Sequence, residues 1–262
     1  MAIEVFNRRE QKYRLGRTTF LSLSERLGEY MCLDAHNQTH FTYPICNLYY
    51  DTADSHLIRT SLQKPRYKEK LRLRSYGTPT PDSKVYVEIK KKFCGCVNKR
   101  RSGILLRDAY AFLADGTAPK GGCGLNEQVL REISYLLSRQ RLEPKVYLSY
   151  ERRAFFGIDD PNIRVSFDTN ILTRREDLLL ESGNYGEGLL ADGEWIMEVK
   201  TPSSIPIWLA RLLSEYRVYP AGFSKYGREY TKQLAGAAQQ QPRRIFAAAC
   251  TQANTIGGFA NV

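Results

Sequence analysis

The sequence predicts an α+β fold: an eight-stranded antiparallel β barrel with a tunnel through it and helices packed outside. Three observations carry that expectation. Eight segments are rich in Val, Ile, Tyr and Phe or alternate apolar with polar residues at the strand period of two. Most are joined by stretches short enough to be turns. In one segment after another the alternation sets charged side chains against apolar ones, and a few amphipathic helices are available to cover the apolar side.

The strands are expected over residues 10–15, 45–52, 68–76, 84–93, 97–105, 145–156, 163–172 and 194–200. Cys94-Gly95, between two of them, reads as a hairpin. A first helix is expected over 23–33, where Ser22 and Glu25 have capping-box spacing. A second is expected over 127–140, capped by Asn126, with Val129, Leu130, Ile133, Leu136 and Leu137 on one face. Pro206 opens a third over 207–216, and a fourth is expected over 225–234. From Ala235 onward Gln239-Gln240-Gln241-Pro242, an alanine run and Gly257-Gly258 carry no acidic residue and no periodicity. That composition reads as a disordered tail over 235–262, behind one folded unit of residues 1–234.

At 262 residues and 42% hydrophobic, the chain can bury a sizeable core. Lys plus Arg number 39 against 28 Asp plus Glu, a formal net charge of +11, and the isoelectric point is near 9.4. No apolar run approaches the roughly 20 residues of a spanning helix. Met1 to Arg9 lacks the apolar core and cleavage site of a secretory signal. A cytoplasmic location is therefore expected. The cysteines (Cys32, Cys46, Cys94, Cys96, Cys123 and Cys250) are too scattered for a disulfide framework, and Cys94-Gly95-Cys96 is not a zinc-knuckle spacing. They read as reduced bystanders. His36, His40 and His56 lie outside H-E-x-x-H spacing, which disfavours zinc hydrolysis. Gly121-Gly122-Cys123-Gly124 lacks the G-x-x-x-x-G-K-[ST] arrangement of a phosphate loop and reads as a turn. Asn37-Gln38-Thr39 fits the glycosylation pattern by chance.

Because strand side chains alternate, Lys70, Arg72 and Arg74 share a face opposite Leu71 and Leu73. Glu88, Lys90 and Lys92 oppose Val87 and Ile89, and Arg164, Ser166 and Asp168 oppose Val165 and Phe167. Glu198 and Lys200 oppose Met197 and Val199, and Arg8, Glu10 and Lys12 keep the same alternation. The unit Glu-x-Lys recurs at Glu10/Lys12, Glu88/Lys90 and Glu198/Lys200. One such strand has an ordinary reading as a solvated face. Taken together, beneath helices on the apolar side, the charged faces line a lumen. Unpaired buried charge is costly, so that lumen has to hold water, ions or a highly anionic ligand. Phosphates joined in a row fit best, since Arg offers their oxygens a planar fork and Lys a compact charge. Glutamates in that company point to a divalent cation, Mg²⁺ or Mn²⁺.

The pieces bearing these charges follow one another along nearly the whole folded body. They are Arg8-Arg9-Glu10-Gln11-Lys12-Tyr13, Leu48-Tyr49-Tyr50-Asp51-Thr52, Lys70-Leu71-Arg72-Leu73-Arg74-Ser75-Tyr76-Gly77 and Val87-Glu88-Ile89-Lys90-Lys91-Lys92. Asn98-Lys99-Arg100-Arg101, Tyr150-Glu151-Arg152-Arg153-Ala154-Phe155, Arg164-Val165-Ser166-Phe167-Asp168, Met197-Glu198-Val199-Lys200 and Phe223-Ser224-Lys225-Tyr226 complete the set. In that order they resemble the VTC domain, the polyphosphate polymerase module of the triphosphate tunnel metalloenzymes (the CYTH-like superfamily). The resemblance implies that Arg72, Arg74, Lys90, Arg152 and Arg164 grip the phosphates of a nucleotide and of the growing chain. It implies Glu198 as the principal metal ligand, with Glu10 and Glu88 as helpers. Lys12, Lys70, Lys200 and Lys225 then extend the basic lining, and Lys92 joins the substrate-binding set beside Lys90. The opening motif departs from the E-x-E-x-K of the triphosphatase branch, with Arg8 where the first Glu would fall, which favours the polymerase branch. Compared with longer eukaryotic members, the expectation is a chain without a regulatory helical domain or a membrane span, and a membrane partner protein is left open.

The implied reaction passes the terminal phosphoryl group of ATP to the end of an inorganic polyphosphate chain, with Mn²⁺ or Mg²⁺ as cofactor. The attacking oxygen is already ionised, so no side-chain nucleophile or strong base is required. Two alternatives are an inorganic or nucleoside triphosphatase in the same tunnel and a non-catalytic module that binds a polyanion or RNA. Net charge and 17 tyrosines permit nucleic-acid binding. An RNA reader is expected to interleave basic and aromatic residues on an open sheet, however, so nucleic acid is disfavoured. Tyr49, Tyr50 and Tyr76 read as packing residues rather than base-stacking platforms. Lys99-Arg100-Arg101 reads equally as a guide for anions at a mouth or as a solvated hairpin.

Overall fold

The computed structural model describes residues 9–94, 96–119 and 125–240. Arg8, Gly95, the glycine-rich segment 121–124 and the tail beyond Gln240 lie outside them, as do Cys123 and Cys250. In chain order the elements are β1 (Arg9–Gly16), α1 (Arg17–Leu27), β2 (Met31–Leu33), β3 (Tyr43–Asp51), α2 (His56–Leu62), β4 (Tyr67–Tyr76), β5 (Lys84–Phe93) and β6 (Cys96–Leu105). They continue with α3 (Leu106–Asp115), α4 (Glu127–Arg139), β7 (Glu143–Gly157), β8 (Arg164–Arg174), β9 (Glu187–Gly188), β10 (Glu194–Thr201), α5 (Ile207–Glu215) and α6 (Lys225–Gln240).

Eight strands pair antiparallel in the order β1-β10-β8-β7-β3-β4-β5-β6, with the short β2 beside β7 and β9 beside β8. Each expected strand is present, with ends that differ by no more than two residues. The sheet curls into a tunnel. Among the described residues no ladder joins its terminal strands β1 and β6. Lys90 Nζ of β5, the strand next to β6, lies 3.7 Å from Glu10 Oε2 of β1 and brings the two ends of the sheet together through side chains.

Two apolar layers wrap the outside. Leu71, Leu73, Val87 and Ile89 pack with Phe112 of α3 and Val129, Leu130 and Ile133 of α4. Tyr13, Val165, Phe167, Met197 and Val199 pack with Phe20, Leu23 and Leu27 of α1 and Leu209 and Leu212 of α5. These are the apolar halves of the alternating strands, so their charged partners necessarily face inward. A third cluster closes one end of the lumen. There Tyr49, Val146, Leu148, Ile171 and Ile196 meet Ile58 of α2 and Tyr226 and Tyr230 of α6.

The first helix is a correction. It spans Arg17–Leu27, six residues ahead of the expected start, and residues 31–33 are strand rather than helix. Gly16 turns β1 straight into α1, and burial of Phe20, Leu23 and Leu27 against the sheet sets the helix frame, overriding the Ser22/Glu25 signal. Asn126 caps α4 as expected, its side chain accepting the Val129 N–H at 3.1 Å. Helix α6 continues through Ala235 to Gln240, because Ala and Gln sustain a helix once it is nucleated. The remaining residues of the expected tail lie outside the described part. Cys32, Cys46, Cys94 and Cys96 are free thiols. Asn37 is buried and its amide is fully used in hydrogen bonds, so the Asn37-Gln38-Thr39 pattern is structural. No helix among the described residues is long and apolar enough to cross a membrane.

Candidate functional site

Strand register decides which inward side chains meet. Across β3 and β4, Tyr49 pairs with Arg72 and Asn47 with Arg74. Across β4 and β5, Arg72 pairs with Glu88, Lys70 with Lys90 and Lys68 with Lys92. Arg152 of β7 lies opposite Asp168 of β8, Glu198 of β10 opposite Ser166 of β8, and Lys12 and Glu10 of β1 opposite Glu198 and Lys200 of β10. Four groupings result.

The first is built on Glu88, only 1% exposed. Arg72 donates to Glu88 Oε2 from Nε at 2.8 Å and to the Tyr49 hydroxyl at 2.9 Å. Lys99 Nζ meets Glu88 Oε1 at 2.7 Å, and Arg74 comes within 3.7 Å. Arg74 also donates to Asn47 Oδ1 at 3.0 Å and to the Tyr150 hydroxyl at 3.2 Å. Burial alone would raise the Glu88 pKa, yet Arg74, Arg72 and Lys99 hold it well below the usual carboxylate range. Burial works in the same sense on Tyr49, where Arg72, Lys70 and Arg74 outweigh it and bring the phenol down to about 8. Both arginines are fixed in position by these partners, Arg72 also through Nη2 to Glu88 at 2.7 Å.

The second grouping centres on Asp168, which is fully buried. Arg152 grips it with both prongs, at 2.7 and 2.8 Å, and Lys225 at the start of α6 reaches it at 2.5 Å. Against the opposing effect of burial, Arg152 and Lys225 lower the Asp168 pKa to about 2.

The third holds Glu10 and Glu198. Lys12 lies 3.2 Å from Glu10 and 3.9 Å from Glu198, and Lys200 meets Glu198 at 2.6 Å. Burial and mutual repulsion push the Glu10 pKa up, while Lys90, Lys12 and Lys200 bring it below normal. Among the described residues no three acidic, His or Cys side chains form a cage for a metal. Two carboxylates on neighbouring strands, close enough to repel each other, do fit Mg²⁺ or Mn²⁺, hard cations that commonly take one or two carboxylates and complete their shell with water and phosphate oxygens. Glu88 is occupied by three cations and serves them as counter-ion.

The fourth is the square of Lys68, Lys70, Lys90 and Lys92 set by the β4–β5 register. Among the described residues only Lys90 of these four has a carboxylate within ion-pair distance. Burial and neighbouring lysines lower Lys70 to about 8, with Tyr49 opposing, and burial likewise lowers Lys90. Cations kept without counter-ions in a partly enclosed space are prepared for a ligand of several negative charges.

The expected residues Lys12, Lys70, Arg72, Arg74, Glu88, Lys90, Arg152, Glu198, Lys200 and Lys225 are thus brought to one interior. Lys92 stands at the far end of its strand beside Lys68. Arg164 stands exposed at the start of β8, its guanidinium 4.6 Å from the centre of the Phe156 ring, at a rim rather than in the interior. Sequence reasoning set Asp168 on a charged face, read Lys99 as part of a basic run at a mouth or solvated hairpin and Tyr49 as a packing residue, and gave none of these, nor Asn47 or Tyr150, a bracing role in the site. Each acts through a partner on a neighbouring strand, and only the register discloses that partner. Lys99 turns inward to Glu88 while Arg100 turns outward to Glu132, so the basic run divides between the two faces.

The family model described as VTC domain matches residues 7–233. Vacuolar transporter chaperone complex subunit 4 of Schizosaccharomyces pombe is 27% identical over an alignment of 160 residues, which covers 53% of this chain and 22% of that protein. The chain therefore spans about a fifth of the length of that relative. Among solved structures, a candidate adenylate cyclase of Bacillus halodurans has a TM-score of 0.53 at 16% identity, over 85% of this chain and 96% of that one. A candidate adenylyl cyclase from Hippeastrum with a dominant triphosphatase activity gives 0.50 at 16% identity, over 85% and 95%. At such identities the likeness is one of fold, and it agrees with the curled antiparallel sheet.

Proposed function

The chain belongs to the VTC domain family, and from that premise we propose that it is a phosphotransferase that makes inorganic polyphosphate from ATP. The observation that carries the reading is the pairing of two cation populations on one inner surface. Arg72, Arg74 and Arg152 are braced by fixed partners, whereas Lys68, Lys70 and Lys92 have no carboxylate in reach among the described residues. The braced arginines align the triphosphate of the donor, and the lysines receive the phosphate chain whose terminal oxygen attacks. Bringing two polyanions into line and offsetting their repulsion is most of the catalytic task in phosphoryl transfer. The attacking oxygen is already ionised, so the reaction needs no side-chain nucleophile. Glu198 and Glu10 hold a divalent cation, which when bound supplies charge neutralisation on the phosphate oxygens. Lys200 and Lys12 set the orientation of those carboxylates. Arg164 meets phosphates arriving at the rim, and Lys225 positions Arg152 through Asp168. The relative is a subunit of a complex, and a membrane protein is a fitting partner for this chain.

A triphosphatase would use the same clamp with water as acceptor, so product size decides. Purified protein incubated with ATP and Mn²⁺, with and without short polyphosphate, is expected to give a long polymer. Orthophosphate with no lengthening would overturn the polymerase reading in favour of hydrolysis.

A further inference from the structure

At the end of the lumen opposite α6 the lining changes from charged to aromatic. The His36 ring lies 5.4 Å from that of Tyr76 with planes 11° apart, and 5.0 Å from Tyr43. Tyr86 meets Tyr76 edge-on at 6.0 Å. The three tyrosines occupy the inward face of their strands: Tyr76 lies two residues beyond Arg74, Tyr86 two before Glu88, and Tyr43 opposite Arg152. Arg101 stacks over Tyr86 at 4.6 Å, and Arg164 feels the charge of Arg101, so both guanidinium groups flank this rim.

Tyr43 belongs to the buried core, but His36, Tyr76 and Tyr86 do not. Tyr50 is buried in the outer apolar layer and Tyr49 is buried against Arg72, as their reading as packing residues expects. Tyr76 departs from it at 43% exposed, and His36 is exposed as well. The loop that carries His36 is nevertheless held firmly. Asp34 accepts the His36 backbone N–H at 3.0 Å. The buried Asn37 amide donates to the His40, Phe41 and Arg152 carbonyls, and its oxygen accepts the Ala154 N–H at 2.8 Å. A buried, saturated amide thus pins to β7 a loop whose next-door side chain is an unburied aromatic ring.

We propose that His36, Tyr76 and Tyr86 form a platform on which the heteroaromatic base of the donor nucleotide stacks, so that the rim, rather than the phosphate clamp, selects nucleoside triphosphates. This rests on the reading of the tunnel as a triphosphate site. The spacing suits it: four residues of β4 separate Tyr76 from Arg72, about 13 Å at strand rise, the reach of a ribose and three phosphates. Base–aromatic stacking tolerates any base but favours the larger purine face, and Arg101 and Arg164 add cation–π attraction at its edge.

The test is calorimetric binding in Mg²⁺ without a phosphate acceptor. It compares ATP, CTP and ribose 5-triphosphate, the last of which keeps the sugar and phosphates and lacks only the base. Wild-type protein is expected to hold ATP roughly tenfold more tightly than ribose 5-triphosphate, the scale of one stacked base, with CTP between. The double variant His36→Ala/Tyr76→Ala is expected to lose that preference while its affinity for ribose 5-triphosphate stays unchanged. The ring-keeping variant His36→Phe/Tyr76→Phe is expected to retain it. Equal wild-type affinity for ATP and ribose 5-triphosphate would overturn the platform, as would a parallel loss for both ligands in the alanine variant. The wild-type comparison needs no altered protein, so a variant that fails to fold does not remove the test. Polymer formation is read separately: ATP preference without polymer sinks the polymerase reading alone, and polymer without preference sinks the platform alone.

Discussion

The Lys70 ammonium lies 5.9 Å from the centre of the Tyr226 ring, with Lys90 and Lys68 as its charged neighbours. Burial, assisted by those lysines, brings its pKa down to about 8. Near that pH a good fraction of Lys70 is neutral, and a polyanion bound beside it restores the charge, so binding takes up a proton. Affinity for tripolyphosphate is therefore expected to fall as pH rises through 8. Calorimetry at that pH, in buffers of different ionisation enthalpy, reads the uptake directly. The variant Lys70→Met is expected to remove part of a proton from it, with the ligand's own ionisation common to both proteins. Equal uptake by the two proteins would show that Lys70 is already charged in the empty tunnel. The positions of Lys70 and Arg72 were legible in the sequence because strand alternation puts both on one face. Their difference in role was not. Arg72 is braced because Glu88 and Tyr49 are its register neighbours, and Lys70 is left without a counter-ion because its neighbour is Lys90.

Helix α6 reaches the site through contacts that no local window contains. Lys225 binds Asp168 of β8, Tyr226 donates to Asp51 of β3 at 3.0 Å, and Glu229 takes both prongs of Arg175 at 2.7 and 2.9 Å. Asp51 also accepts the Leu57 and Ile58 N–H groups, capping α2 from the preceding strand. The α2 cap therefore stands outside the Ser/Thr/Asp-then-helix pattern that makes helix starts readable, and α2 went unexpected. Helix α3 likewise follows β6 with no polar cap, and only Gly116 in the left-handed region marks its end. The strands were legible because period-two alternation is a property of the segment itself. Asp168 gives the element-scale prediction. Its pKa is lowered in the fold, so its contribution, about 2 kcal/mol, is complete above the unfolded carboxyl pKa near 4 and fades as pH falls towards 2. Asp168→Asn leaves Arg152 and Lys225 without their shared partner and is expected to cost about 3 kcal/mol at neutral pH. Urea denaturation across pH is expected to show the gap between variant and wild type narrowing on the acid side. A gap of constant size would mean that the carboxylate charge is not what anchors α6.

For the whole molecule the governing fact is a tunnel curled from a sheet whose ladder stays open between β1 and β6 among the described residues. Alternation together with helices on the apolar side was enough to read an enclosed charged lumen, but which strands meet at the seam depends on curl and register accumulated over eight strands. Near that seam Lys90 meets Glu10, and close by Lys68, Lys70 and Lys92 repel one another. The empty protein should accordingly be less stable than its apolar packing allows, and moderate salt, by screening repulsion over a Debye length of about 8 Å, should raise its melting temperature. A ligand that binds only the folded state stabilises by about 2.7 kcal/mol at a hundred times its dissociation constant, which for a domain of this size is a rise on the order of 5–10 °C. Tripolyphosphate is expected to produce that rise, orthophosphate a much smaller one, and added salt to shrink both. The double variant Lys68→Met/Lys92→Met is expected to melt higher than wild type when empty and to gain less from tripolyphosphate. If the empty wild type instead loses stability with salt while the variant gains as much from tripolyphosphate as wild type does, the lysine square is a solvated surface and the anion's path lies elsewhere.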